Sequence, residues 1–175
     1  ATTDGTIADD GTANLTITNN ASFEANGTGG AITLDDTFDF GSLTFNSAGA
    51  VAVTEADGFA LSGTSTADSL DLTATAGAIS DDGTANLTVT NNASFEANGA
   101  GGAITLADTY DFGDLNFNSV GAVSVTEATG VVLTGTSTAD SLTLATTNGT
   151  IADDGTANLT VTNNASFETN GTGGA

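Results

Sequence analysis

No lysine, arginine, histidine, cysteine, methionine, tryptophan or proline occurs in this 175-residue chain, which carries 22 acidic residues and a formal charge of −22. Each absence excludes a class of function. Without cations the surface cannot neutralise phosphates, so nucleic-acid binding has no electrostatic basis. Without His or Cys, the common zinc sites and the Ser-His-Asp and Cys-His nucleophile pairs are unavailable. No disulfide can form and no side chain can close a salt bridge, so stability must rest on packing and backbone hydrogen bonding. A membrane-spanning helix needs about 20 consecutive apolar residues. No run in this chain approaches that length, so no segment is expected to enter a membrane. Lack of Lys and Arg also removes every trypsin site, which suits a protease-rich exterior.

What is present is a repeat. Asp-Asp-Gly-Thr-Ala-Asn-Leu-Thr begins at Asp9, Asp81 and Asp153, a constant period of 72, and residues 9–80 and 81–152 are identical at 54 of 72 positions. Residues 1–31 match 145–175 except at Asp4/Asn148, Ile17/Val161 and Ala25/Thr169. The expected organisation is one continuous unit over 1–175: the end of a preceding repeat at 1–8, repeats 9–80 and 81–152, and a partial repeat 153–175, a slice of a longer array.

Within the unit, apolar residues alternate with polar ones, which in a strand sends successive side chains to opposite faces. One parity of 81–152 collects Leu87, Val89, Phe95, Ile104, Leu106, Leu115, Phe117, Val123, Val125, Leu133, Leu142, Leu144 and Ile151, predicted to face inward. The other collects Thr88, Thr90, Glu96, Asn116, Ser124 and Thr143. Gly, Asn, Asp, Ser and Thr fill the intervals as turns, and no helix period appears. This order in the apolar positions argues for a folded chain despite its charge. The predicted class is an all-β parallel β-helix (β-solenoid) with about three coils per repeat, about seven coils in total, and unequal coil lengths near 28, 27 and 17. A string of β-sandwich domains is the rival, but a unit of 72 is short for a sandwich, which takes about 100 residues, and no linker separates the copies.

The segments LTLATTNGTIA, LDLTATAGAIS and NLTVTNNASFEANGAGGAITL resemble the haemagglutinin-type repeats of filamentous haemagglutinin, of other two-partner-secretion exoproteins and of large autotransporter adhesins. The resemblance extends over essentially the whole chain. It implies a right-handed helix, secreted by Gram-negative bacteria and displayed at the cell surface as a rod. Unlike the usual members, this chain lacks every Lys and Arg.

Candidate sites lie among the acids. Asp35, Asp36 and Asp39, and in the next repeat Asp108, Asp111 and Asp114, follow the Gly-Gly-Ala-Ile-Thr-Leu segment. Carboxylates spaced this closely on a turn could hold Ca²⁺, which takes six to eight oxygen ligands. Gly-Thr-Ser-Thr-Ala-Asp-Ser-Leu at 63–70 and 135–142 faintly echoes calcium-binding RTX repeats, without the full nonapeptide. The plain reading is that these carboxylates are solvated turn residues, and that Asp-Asp-Gly is a turn signal. Catalysis by paired carboxylates, as in carbohydrate-active β-helix enzymes, needs a non-repeated acidic cleft, so no enzyme is expected. An ice-binding threonine grid is interrupted by Asn116 and Asn118. Asn91, Asn92, Asn118 and Asn148 are predicted to form amide ladders along the stack.

Seven coils would span roughly 34 Å, giving about one negative charge per 1.5 Å, close to duplex DNA at about one per 1.7 Å. The sequence therefore predicts an extracellular structural fibre or adhesin stalk for adhesion, spacing or cell–cell and matrix contact. It would self-associate laterally or end to end through bridging cations, or attach to host-cell or matrix glycans. A calcium-dependent adhesin repeat is the first alternative.

Overall fold

The computed structural model describes residues 1–171; the last four residues of the partial repeat, 172–175, lie outside the described residues. Every strand pairing among the described residues is parallel, and each strand pairs with one about a coil away in sequence: Ile32–Leu34 with Val51–Glu55, that strand with Leu70–Ala74, and that in turn with Asn86–Ala97. Nineteen strands join in one winding sheet. This is a parallel β-helix. The sandwich alternative, built from antiparallel strands, is set aside by the pairing.

The alternation read from the sequence sets the inside and the outside. Of the thirteen residues assigned inward in 81–152, all but Ile151 are buried, and Ile151 is half-buried against the same core. Thr88, Thr90 and Thr143 are exposed, and Glu96, Asn116 and Ser124 partly so. One continuous apolar interior runs up the coils. Burying a Leu, Val, Ile or Phe side chain contributes about 1.5–3 kcal/mol, and here that term recurs in every coil. Aromatic rings add to the filling: Phe38 stacks on Phe40 at 5.6 Å, and Tyr110 on Phe112 at 5.7 Å.

Coil lengths differ from those expected. Partners one coil apart are separated in sequence number by 18 (Leu43 and Leu61) to 25 (Ile7 and Ile32), not by 28, 27 and 17. The expected lengths treated each repeated Leu-x-apolar start as a new coil, whereas several mark different sides of one coil.

Where coil length changes, backbone groups lose ladder partners, and side chains replace them. The long strand Thr37–Ser47 pairs along its length with Asn14–Ala25 below, apart from a bulge between Ile17 and Asn20. Above, it meets only short partners at Ser42–Leu43 and Asn46. The Phe40 N–H instead donates to Glu55 Oε1 at 2.8 Å, and the Phe45 N–H to Ser65 Oγ at 3.1 Å. The second copy repeats this with Phe112 to Glu127 at 2.8 Å and Phe117 to Ser137 at 3.2 Å. A buried N–H without an acceptor costs about 1–3 kcal/mol, so these side chains belong to the sheet as much as the backbone does. Gly113 sits against the matching bulge of the next repeat, where a Cβ would lie 2.5 Å from the Thr90 carbonyl oxygen.

Candidate functional site

Three settings of acidic residues carry the hydrogen bonding to backbone N–H groups. The first is the Asp-Asp-Gly-Thr corner. Asp10 Oδ1 accepts the Thr12 N–H at 3.1 Å and its hydroxyl at 2.8 Å, and Gly11 turns with φ +79°. The corners at 81–84 and 153–156 are built the same way. Hydrogen bonding favours the ionised form: the Thr84 hydroxyl, with the Thr84 N–H, holds the Asp82 carboxyl below its usual range, and the Thr156 N–H does the same for Asp154.

The second setting is where this corner meets the turn of the coil above. Asp9 Oδ2 accepts the Asp35 N–H at 2.7 Å, and Asp36 Oδ2 accepts the Ala13 N–H at 2.7 Å. Ligand oxygens of Asp9, Asp35 and Asp36 all lie within 4.8 Å of one another. Partial burial pushes the Asp9 carboxyl up, but the N–H groups of Asp35 and Gly11 outweigh it, and the net shift is downward. In the next repeat Ala107 stands where Asp35 stood. Asp81 there accepts the Ala107 N–H at 2.5 Å, Asp108 accepts the Ala85 N–H at 2.9 Å, and Tyr110, replacing Phe38, donates its hydroxyl to Asp81 Oδ2 at 3.1 Å. The Tyr110 phenol is pushed well above its ordinary pKa, by burial first and then by Asp81.

Of the six carboxylates singled out in the sequence, Asp35 and Asp36 are therefore brought together, with Asp9 as an unforeseen third. Asp39 and Asp111 are not turn residues: each lies in a strand, outward between two buried aromatic side chains, Phe38 and Phe40 or Tyr110 and Phe112. Asp114 also lies in the strand Thr109–Ser119, and Asp108 acts as a backbone acceptor. Calcium ligands could be supplied by Asp9, Asp35 and Asp36, all from one copy. Asp9 was legible only with the correct coil length: the step that stacks Ile7 under Ile32 brings Asp9 beside Asp35.

The third setting is interior. Among the described residues, Glu55 and Glu127 are the acidic side chains with no exposed surface. Each closes an inward strand, Val51–Glu55 or Ala122–Glu127, and each accepts a second N–H, from Asp57 at 2.9 Å or Thr129 at 2.7 Å. Burial raises both carboxyls above the ordinary range, against the pull of the two N–H donors. Sequence reasoning passed over them although parity marked them, two positions after Val53 and Val125.

The predicted amide ladders form in part. Asn92 Nδ2 donates to Asn116 Oδ1 at 2.9 Å, Asn91 Nδ2 to Asp68 Oδ1 at 3.0 Å, and Thr138 Oγ1 to Asn118 Oδ1 at 3.1 Å. A groove on the last described coil is lined by Leu133, Ile151, Asp153, Phe167 and Thr169. No helix among the described residues is long and apolar enough to cross a membrane.

Residues 48–116 match a family model described as repeats of unknown function (DUF5649), a stretch that runs across the boundary between the two full repeats. No curated protein and no solved structure matches the chain.

Proposed function

We propose that this chain is a structural repeat segment of an extracellular fibre or adhesin stalk, a rod that sets distance and presents an anionic surface for adhesion or for cell–cell and matrix contact. The observation that carries the reading is the single dry core running unbroken through parallel coils and across repeat boundaries. Such a core has no hinge at which to bend, and it lengthens by adding identical units. The resemblance to haemagglutinin-type repeats supports the cell-surface placement, and the absence of trypsin sites agrees with it. With all side-chain charge of one sign, contact between rods, or with anionic glycans, requires bridging cations. Catalysis has no part in this reading.

The experiment is surface shaving of intact source cells. Trypsin should make no cut within the repeats, while a protease cutting after Glu or Asp should release repeat peptides without lysis. Repeat peptides found only after lysis would refute the surface placement. Small-angle scattering of the isolated chain tests the rod independently.

A second reading, a calcium-dependent adhesin repeat, is favoured by the Asp9, Asp35 and Asp36 oxygens gathered within 4.8 Å. A calcium-specific rise in melting temperature, beyond that given by magnesium at equal ionic strength, tests it.

A further inference from the structure

The sequence period is 72, but the coils do not divide that length evenly. One column of stacked positions climbs Ile7, Ile32, Val51, Leu70, Ala93, Leu115, Leu133 and Asp153. The climb from Ile7 to Asp153 takes seven steps, about 21 per coil, so one repeat winds about three and a half times. The Asp-Asp-Gly-Thr corners follow this fraction. Asp9 lies two positions beyond the foot of the column and Asp153 stands at its head. Asp81, the copy between them, stands on another column, above Ala21, Leu43 and Leu61. In the coil from Leu61 to Asp81 the first column passes at Leu70, nine positions into twenty. In the coil below, from Leu43 to Leu61, it passes at Val51, eight positions into eighteen. The two columns run on opposite sides of the rod.

The core turns with them. Phe23 stacks beneath Phe45 and its copy Phe95 likewise beneath Phe117, but Phe95 stands on the column of Val53 and Leu72 and not on that of Phe23 and Phe45. Equivalent residues of adjacent repeats therefore do not lie above one another, contrary to the simple three-coil picture, in which they would be stacked about 14 Å apart.

We infer that the fibre is two-sided: odd and even repeats display their shared outward residues on opposite faces, and a given face recurs only every second repeat. The inference deepens the rod proposed above and rests on it. At about 4.8 Å per coil, copies on one face lie roughly 34 Å apart, and neighbouring copies are offset by roughly 17 Å along the axis and by the width of the rod. A coil of about 21 residues at about 3.3 Å per residue gives a width of about 22 Å. The partner such a surface fits is itself repetitive, with binding groups spaced near the longer interval. It is cationic or held through bridging cations, because the chain has no side-chain cation. One rod can hold such a partner on each side.

The test exploits the absence of cysteine. Thr12, Thr84 and Thr156 are exposed equivalents on the three corners. Double variants Thr12→Cys/Thr84→Cys, Thr84→Cys/Thr156→Cys and Thr12→Cys/Thr156→Cys are spin-labelled, and the distances are read by pulsed dipolar spectroscopy. Two-sided display predicts a triangle: about 28 Å for each neighbouring pair and about 34 Å for the outer pair. Narrow distances in which the outer pair equals the sum of the two neighbouring ones would overturn the inference and leave the rod intact. Broad distributions for all three pairs would overturn the rod and the two-sided display together.

Discussion

Replacing Glu127 examines whether buried carboxylates complete the sheet. Glu127 has no exposed surface, and its two oxygens take the N–H groups of Phe112 and Thr129 at 2.8 and 2.7 Å. In Glu127→Ala the Phe112 N–H loses its acceptor inside the rod, whereas the N–H of the exposed Thr129 turns to water. At about 1–3 kcal/mol for an unsatisfied buried donor, the expected loss is about 1–3 kcal/mol from Phe112, with a further contribution from the vacated volume. Glu127→Gln keeps one acceptor and turns an amide NH₂ toward the other donor, so about 1–3 kcal/mol is expected. Urea denaturation followed by circular dichroism measures the total. Hydrogen exchange at Phe112 and Thr129 measures it locally, with about tenfold faster exchange for each 1.4 kcal/mol. A Glu127→Ala variant within about 0.5 kcal/mol of the parent, the range of an inconsequential surface substitution, with both amides still protected, would refute the argument.

The same pair of proteins carries a pH signature whose sign is fixed. Burial raises the Glu127 carboxyl in the folded state, so the folded protein binds that proton more tightly than the unfolded chain does. Stability then rises as pH falls through the raised folded value toward the unfolded value, and is flat in this term above and below that window. Relief of repulsion among the surface carboxylates acts in the same direction, so the parent alone is not diagnostic. The difference between parent and Glu127→Gln isolates the buried group, because surface contributions cancel: the parent should gain on the variant as pH falls from 7 toward 4.

Gly113→Ala should cost about 1–3 kcal/mol in denaturation experiments, because its Cβ meets the Thr90 carbonyl oxygen at 2.5 Å. Gly83→Ala, at φ +81° in an open turn, should cost about 1–2 kcal/mol through backbone strain alone. Calcium at ten times its dissociation constant should add about 1.4 kcal/mol, and Asp35→Ala, which copies Ala107 into the first repeat, should abolish that gain in a thermal-shift titration. Added monovalent salt should raise the melting temperature by screening the surface carboxylates; a flat or falling response would contradict a stability set partly by self-repulsion. Tyr110→Phe should lose about 1 kcal/mol with the bond to Asp81, and the parent's single tyrosine should resist ionisation in an alkaline absorbance titration.

Fold class and the inward set were legible because a strand's side chains alternate without ambiguity: Leu87, Val89, Phe95, Leu115 and Leu144 declare one face by parity alone. Coil length was not. Parity says which way a side chain points, but says nothing about which coil a strand belongs to, and Leu70 and Leu87 look alike in sequence while standing on different columns. The candidate site depended on that missing quantity. Asp35 and Asp36 could be seen as neighbours, whereas Asp9 joins them only through the long step that stacks Ile7 under Ile32. Asp39 was misread for a different reason: flanked by acids and Thr37, it looked like turn sequence, and the buried Phe38 and Phe40 on either side were the overlooked sign of a strand.

The unequal coils also give the acidic residues a structural purpose. Steps as different as Leu43 to Leu61 and Ile7 to Ile32 cannot pair every N–H with the carbonyl above or below it. The orphaned donors need acceptors, and a carboxylate supplies two oxygens that can take N–H groups from different strands or turns, as Asp9 does for Gly11 and Asp35 and Glu55 does for Phe40 and Asp57. A hydroxyl serves where a single bond suffices, as at Ser65 and Ser137. Lysine or arginine could not substitute, since both only donate. Where the second repeat drops one carboxylate, at Ala107, the Tyr110 hydroxyl supplies a donor to Asp81 in a corner that the first repeat fills with three carboxylates. Negative charge in this chain is therefore partly a property of its surface and partly the means by which an irregular coil closes its own hydrogen bonds.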